Sequence, residues 1–240
     1  MTDLLSFKKV EKPLTIKNLT QTTAEISIYG IIDDSSFWED SISAKQVFDA
    51  VKALPSTVNT LNIRLNSPGG SVFAGISIYN FLKNLKMKVV VFVDGMAASI
   101  ASVIALAGNE RHIGTGAMFM IHKPMTGLWG NSLDFIDVID RLDQVEDQII
   151  SIYLKNTNLG RTELKTLIAN TTYFDAGQSI DHGFATEIMD DDSDVDMAAC
   201  LKNAYWIADR ETIIRNKNKS SETIGKAIQD IKDFTSSYNM

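Results

Sequence analysis

Apolar and polar positions along the chain change period several times, and each change marks an element. Residues 1–22 are polar and aperiodic and read as a flexible N-terminal arm. From Ala24 to Ile32 apolar and polar side chains alternate with β-branched residues among them, the pattern of a strand. Ser43-Ala44-Lys45-Gln46 has the form of a capping box, and Val47, Ala50, Val51 and Leu54 continue as a helical stripe. Thr60 to Leu65 predicts a second strand, which Asn66-Ser67-Pro68-Gly69-Gly70 ends as a turn. Val72, Ile76, Tyr79 and Leu82 give helical spacing over Val72 to Leu85. Val89 to Val93 is a continuous apolar run, a strand buried on both faces. A helix of mostly small residues then runs from Ala97 to Ala107 and stops at Gly108. Two short strands follow, near His112 and over Phe119 to His122.

The longest helix spans Ser132 to Asn156. Its stripe of Leu133, Ile136, Ile139, Leu142, Val145, Ile149 and Ile152 is close to heptad spacing, which suits packing on its own core or against another helix. Helices over Arg161 to Ala169 and Ala176 to His182 complete the folded part. Glu187 to Asp196 holds six acids and no base, the composition of a solvated loop or domain edge. Beyond it, Ile207 to Ile214 and Ile224 to Phe234 are amphipathic enough for short helices. The organisation expected is therefore an arm at 1–22, an α/β domain at 23–189 and an acidic, partly helical tail at 190–240. Strands alternating with helices place the domain in the α/β class.

Composition narrows the function. With 240 residues, 45% hydrophobic and 22% charged, the chain can bury one sizeable core. A net charge of −7 argues against a nucleic-acid binder, which needs a basic face. The lone cysteine, Cys200, rules out an intrachain disulfide and fits a reducing compartment, hence a cytoplasmic location. The lysines at 8, 9, 12 and 17 are followed by no apolar segment of signal-peptide type. Val89 to Ala107 is broken by Asp94 and Gly95 into pieces too short to cross a bilayer. His112, His122 and His182 form no metal-binding spacing, so neither a metal nor another cofactor is expected.

Three clusters carry candidate chemistry. They are Asn66-Ser67-Pro68-Gly69-Gly70-Ser71-Val72-Phe73-Ala74-Gly75, then Gly95-Met96-Ala97-Ala98-Ser99, then Met120-Ile121-His122-Lys123-Pro124. Acyl transfer needs a hydroxyl nucleophile, a general base and backbone donors for an oxyanion. Ser99 sits between a buried strand and a helix start, where side chains are exposed and helix amides converge. Taken alone, it also reads as a hydroxyl in a packing helix, His122 as a satisfied buried histidine and the glycines as a simple turn.

Taken together, PGGSVFAG, GMAAS and MIHKP strongly resemble the Clp-type serine peptidases, over roughly Ala24 to Ile188. The VFAGISIYN continuation and the C-terminal extension resemble the phage and prophage branch that processes capsid or scaffold proteins during head maturation. The resemblance implies a spiral of repeated ββα units related to the crotonase fold, with the helix after residue 131 as a handle joining subunits into stacked rings. It implies Ser99 as nucleophile, His122 as general base, and the amides of Gly70 and Ile100 as the oxyanion hole. The partners implied are a polypeptide substrate, further copies of the chain and a separate unfoldase, since the chain has no Walker A pattern.

One position departs from the family pattern. Where an acid is expected, about five residues before Ala176, this chain has Thr171. A threonine can accept a hydrogen bond from an imidazole but cannot stabilise an imidazolium as a carboxylate does. Asp175 is near enough in sequence to substitute, or else it caps the helix that begins at Ala176. Two rivals therefore stand beside the peptidase: a catalytically weak or inactive oligomeric shell of the same fold, and an acyl-CoA enzyme of crotonase type.

Overall fold

The structure, a computed structural model, describes residues 14–35 and 41–189. The 190–240 segment, with both amphipathic stretches and Cys200, lies outside the described residues, as does 1–13.

A mixed sheet of eight strands organises the described chain. Its elements in order are β1 (Leu14–Asn18), β2 (Thr23–Ile32), α1 (Ala44–Lys52), β3 (Thr60–Gly70), α2 (Val72–Lys83), β4 (Lys88–Ala98), α3 (Ile100–Ala105), β5 (Glu110–Ile113), β6 (Met118–Ile121), α4 (Ser132–Asn156), α5 (Arg161–Ala169), β7 (Thr172–Phe174), α6 (Ala176–Asp181) and β8 (Glu187–Ile188). The main path runs β1-β2-β3-β4-β5-β8, with β6 branching from β4 and carrying β7. The β1–β2 and β6–β7 pairings are antiparallel and the others are parallel.

Register explains which side is core. Ile28, Leu65, Val93 and Ile113 lie in one cross-strand row, and Ala24, Leu61 and Val89 in another on the same face. All of these are buried. The alternate row, Ser27, Arg64, Phe92, His112 and Glu187, faces the other way. There Arg64 lies 5.2 Å from the Phe92 ring centre and Phe92 stacks on His112 at 4.9 Å. Period-two side-chain alternation thus separates an apolar face from a polar one.

Several sequence expectations hold closely. The capping box at Ser43 and Gln46 opens α1, and α4 has the bounds expected of it. Others need correction. Part of the expected 1–22 arm is strand β1, held by β2; its alternation is too short to stand out in the sequence. The expected stop at Asn66 is instead a bulged continuation, since β3 pairs on to Gly70 after a register shift. The helix expected from Ala97 begins only at Ile100, because β4 extends through Ala98. Within the acidic run, Glu187–Ile188 add β8 to the sheet edge through β5. Strand β7, not anticipated, exists by pairing with β6.

Candidate active site

The site is built where β4 outruns its first neighbour. Val90–Val93 pair with β5, and beyond Asp94 and Gly95 the strand changes partner, Met96–Ala98 pairing with β6. Asp94 is buried at this fork, where its Oδ2 accepts from the Tyr29 hydroxyl at 2.5 Å and from Arg64 Nε at 2.9 Å. Burial pushes the Asp94 carboxyl up, opposed by Tyr29 and Arg64, and burial likewise raises the Tyr29 phenol, which therefore stays a donor. The fork delivers two parallel strand ends side by side, one leading to Ser99 and the other to His122.

Those side chains meet. His122 Nε2 lies 2.7 Å from Ser99 Oγ, and both residues are half-buried. This is hydrogen-bond distance for an imidazole that takes a hydroxyl proton. Ser99 occupies φ 55, ψ −127 at the start of α3, a conformation that costs a non-glycine residue about 1–3 kcal/mol. Its N–H donates to Met120 O at 2.8 Å, tying the start of α3 to β6.

The glycine end of β3 presses against the same point. A Cβ on Gly69 would lie 2.7 Å from Ser99 Cβ and 3.1 Å from Ile100 N, and one on Gly70 would lie 2.1 Å from Ile32 O. Both have positive φ, +93° and +143°, so glycine is required twice over. Ser67 stiffens the bulge: its Oγ donates to Gly30 O at 2.6 Å and accepts from Gly69 N at 3.1 Å. Ile100 N belongs to the first turn of α3, where amides have no acceptor within the helix. Hydroxyl, imidazole, glycine backbone and a helix-start amide thus share one small volume.

The remaining candidates are placed differently. Antiparallel pairing sets Met120 opposite Tyr173 and Ile121 opposite Thr172, so His122, just after β6, and Thr171, just before β7, lie at the same end of this ladder. Thr171 is exposed and has φ 52. Asp175 caps α6, its Oδ1 accepting from Gln178 N at 2.8 Å within a full capping box. Among the described residues no group of three or more His, Cys, Asp or Glu is placed to hold a metal.

Two contacts near the site escaped the sequence reading. Lys123, next to His122, pairs with Glu146 of α4 at 3.1 Å. Ser102 and Tyr153 form a buried contact at 2.7 Å beneath Ser99. Tyr153 lies off the apolar stripe by one position, and that displaced aromatic is the only local signal for it.

Comparison with known proteins identifies the family. The Clp protease family model matches residues 15–192. The ATP-dependent Clp protease proteolytic subunit of Lactococcus lactis subsp. lactis (strain IL1403) is 31% identical over 174 residues, covering 70% of this chain and 84% of that protein. The protein of the same name from Streptococcus pneumoniae (strain 70585) is 30% identical over 172 residues, covering 70% and 85%. A mutant ClpP1 from Listeria monocytogenes superposes with a TM-score of 0.61 at 23% identity, over 70% of this chain and 92% of that one, which shows a shared fold. The chain belongs to the Clp protease family.

Proposed function

We propose that this chain is a serine endopeptidase. In this reading Ser99 Oγ attacks a peptide carbonyl while His122 Nε2 takes its proton and then returns it to the leaving amine. The amides of Gly70 and Ile100 stabilise the tetrahedral oxyanion, and water releases the acyl group by the same steps reversed. The observation that carries the reading is the 2.7 Å contact between His122 Nε2 and Ser99 Oγ beside a helix-start amide. Thr171 stands in the acid's place, where it can fix the imidazole's orientation without stabilising its charge.

The working form we propose is a homo-oligomer of stacked rings. Supporting this, Leu133, Ile136 and Ile139 on the first half of α4 are 70%, 55% and 57% exposed, an apolar stripe with no cover from the described chain. The curated relatives are named as subunits of an ATP-dependent protease; lacking a Walker A pattern, this chain would depend on a separate unfoldase for any ATP-driven step. We further propose capsid or scaffold polypeptides of a phage or prophage as substrates, in the bacterial cytoplasm, on the resemblance of Val72 to Asn80 and the chain beyond 189 to that branch.

Labelling by a fluorophosphonate probe tests the reading at its centre. Wild-type protein should be labelled at Ser99 and should cut an unfolded polypeptide, and Ser99→Ala should do neither while assembling normally. Equal cleavage by Ser99→Ala rejects the peptidase. An unlabelled wild-type serine favours the shell reading, which Thr171 and the capping role of Asp175 support.

A further inference from the structure

We propose that Tyr153 and Ser102 are positioning residues that aim the Ile100 amide at the oxyanion, so that α4 is wired into the reacting site. The inference rests on the peptidase reading and deepens it.

Ser102 Oγ donates to the Ser99 carbonyl at 2.5 Å, and Ser102 N donates to the same oxygen at 3.0 Å. A carbonyl only accepts, so the Ser102 hydroxyl proton is committed to it. The 2.7 Å contact between Ser102 Oγ and the Tyr153 hydroxyl must then have Tyr153 as donor. Burial holds the Tyr153 phenol well above its ordinary pKa, opposed only by the bond to Ser102, so it keeps that proton. Both side chains are essentially sealed, Ser102 at 0% exposure and Tyr153 at 2%. The result is a directed chain: Tyr153 O–H to Ser102 O–H to Ser99 C=O.

That carbonyl and the Ile100 N–H are two ends of one planar, trans peptide group. Pinning the oxygen with two hydrogen bonds fixes the plane, and with it the direction of the N–H on the opposite side. Donors in series also polarise one another, which strengthens the terminal N–H as a donor. The pinned peptide follows a serine in a strained conformation, so it needs restraint from outside its own backbone. Tyr153 supplies it from α4, and its ring is itself set by an edge contact with Phe184 at 5.7 Å.

The test uses full-length Tyr153→Phe, Ser102→Ala and the double variant. Each is measured for kcat and KM on a short fluorogenic peptide and for the rate of Ser99 phosphonylation. Tyr153→Phe removes only the hydroxyl. It should lower kcat and the phosphonylation rate by roughly tenfold, a fraction of the ~10²–10³ lost when an oxyanion donor is removed outright. KM should stay within about twofold, and the double variant should be no worse than Ser102→Ala, because the two act in series. Wild-type kcat in Tyr153→Phe, additive losses, or a change confined to KM would each overturn the proposal. If wild-type Ser99 proves unreactive, the peptidase reading falls separately. Hydrogen exchange at the Ser102 amide then decides this one: faster exchange in Tyr153→Phe upholds the pinning, and unchanged protection refutes it.

Discussion

Thr171 combines a β-branched side chain with a left-handed backbone, φ 52, a pairing that costs on the order of 1–2 kcal/mol. Aspartate and asparagine tolerate that region better. It also precedes β7 at the end of the ladder where His122 follows β6. Thr171→Asp should therefore relieve the backbone and add a negative charge at that end of the ladder at once. We expect turnover of a fluorogenic peptide to rise about tenfold or more, against the ~10⁴ that loss of the acid's role typically costs, with no loss of thermal stability. Unchanged turnover would place the ring's outer nitrogen beyond this position's reach. Ser99 and His122 were legible in the sequence because each follows a strand within a distinctive motif. Asp175 was ambiguous there, since a cap and a catalytic acid use the same carboxylate at the same kind of position. The contact of Asp175 with Gln178 N shows which of these it makes.

Among the elements, α4 divides into two halves. From Glu146 on it is anchored, with Ile149, Ile150 and Tyr153 buried, whereas Leu133, Ile136 and Ile139 have no cover among the described residues. The sequence shows one continuous stripe and cannot say where the core ends, because spacing reports a face and not what the face meets. Ile139→Asp should leave the protomer's thermal unfolding nearly unchanged while shifting sedimentation toward smaller species. An unaltered oligomer would remove this stripe from the interface. Strand β4 teaches a related lesson. Its Asp94-Gly95 looked like an interruption, but the strand passes through it and exchanges β5 for β6. A propensity reading sees a breaker, where tertiary pairing makes a fork that delivers Ser99.

For the molecule as a whole, every candidate site residue and the sheet that carries it fall within residues 14–189, and the family match ends at 192. A chain ending at residue 192 should accordingly fold cooperatively and keep the fluorophosphonate reactivity of Ser99. Loss of labelling with an intact melting transition would assign the final residues a part in the site. The α/β class, the order of most elements, the paired glycines, the serine and the histidine were all legible in the sequence alone. These are local matters of side-chain period, capping and backbone freedom. The meeting of Ser99 with His122, the continuation of β3 and β4 past their apparent ends, and the chain from Tyr153 through Ser102 to the Ser99 carbonyl were decided only by tertiary structure. Each joins residues far apart in sequence through strand pairing or buried hydrogen bonds, whose partners local pattern does not name.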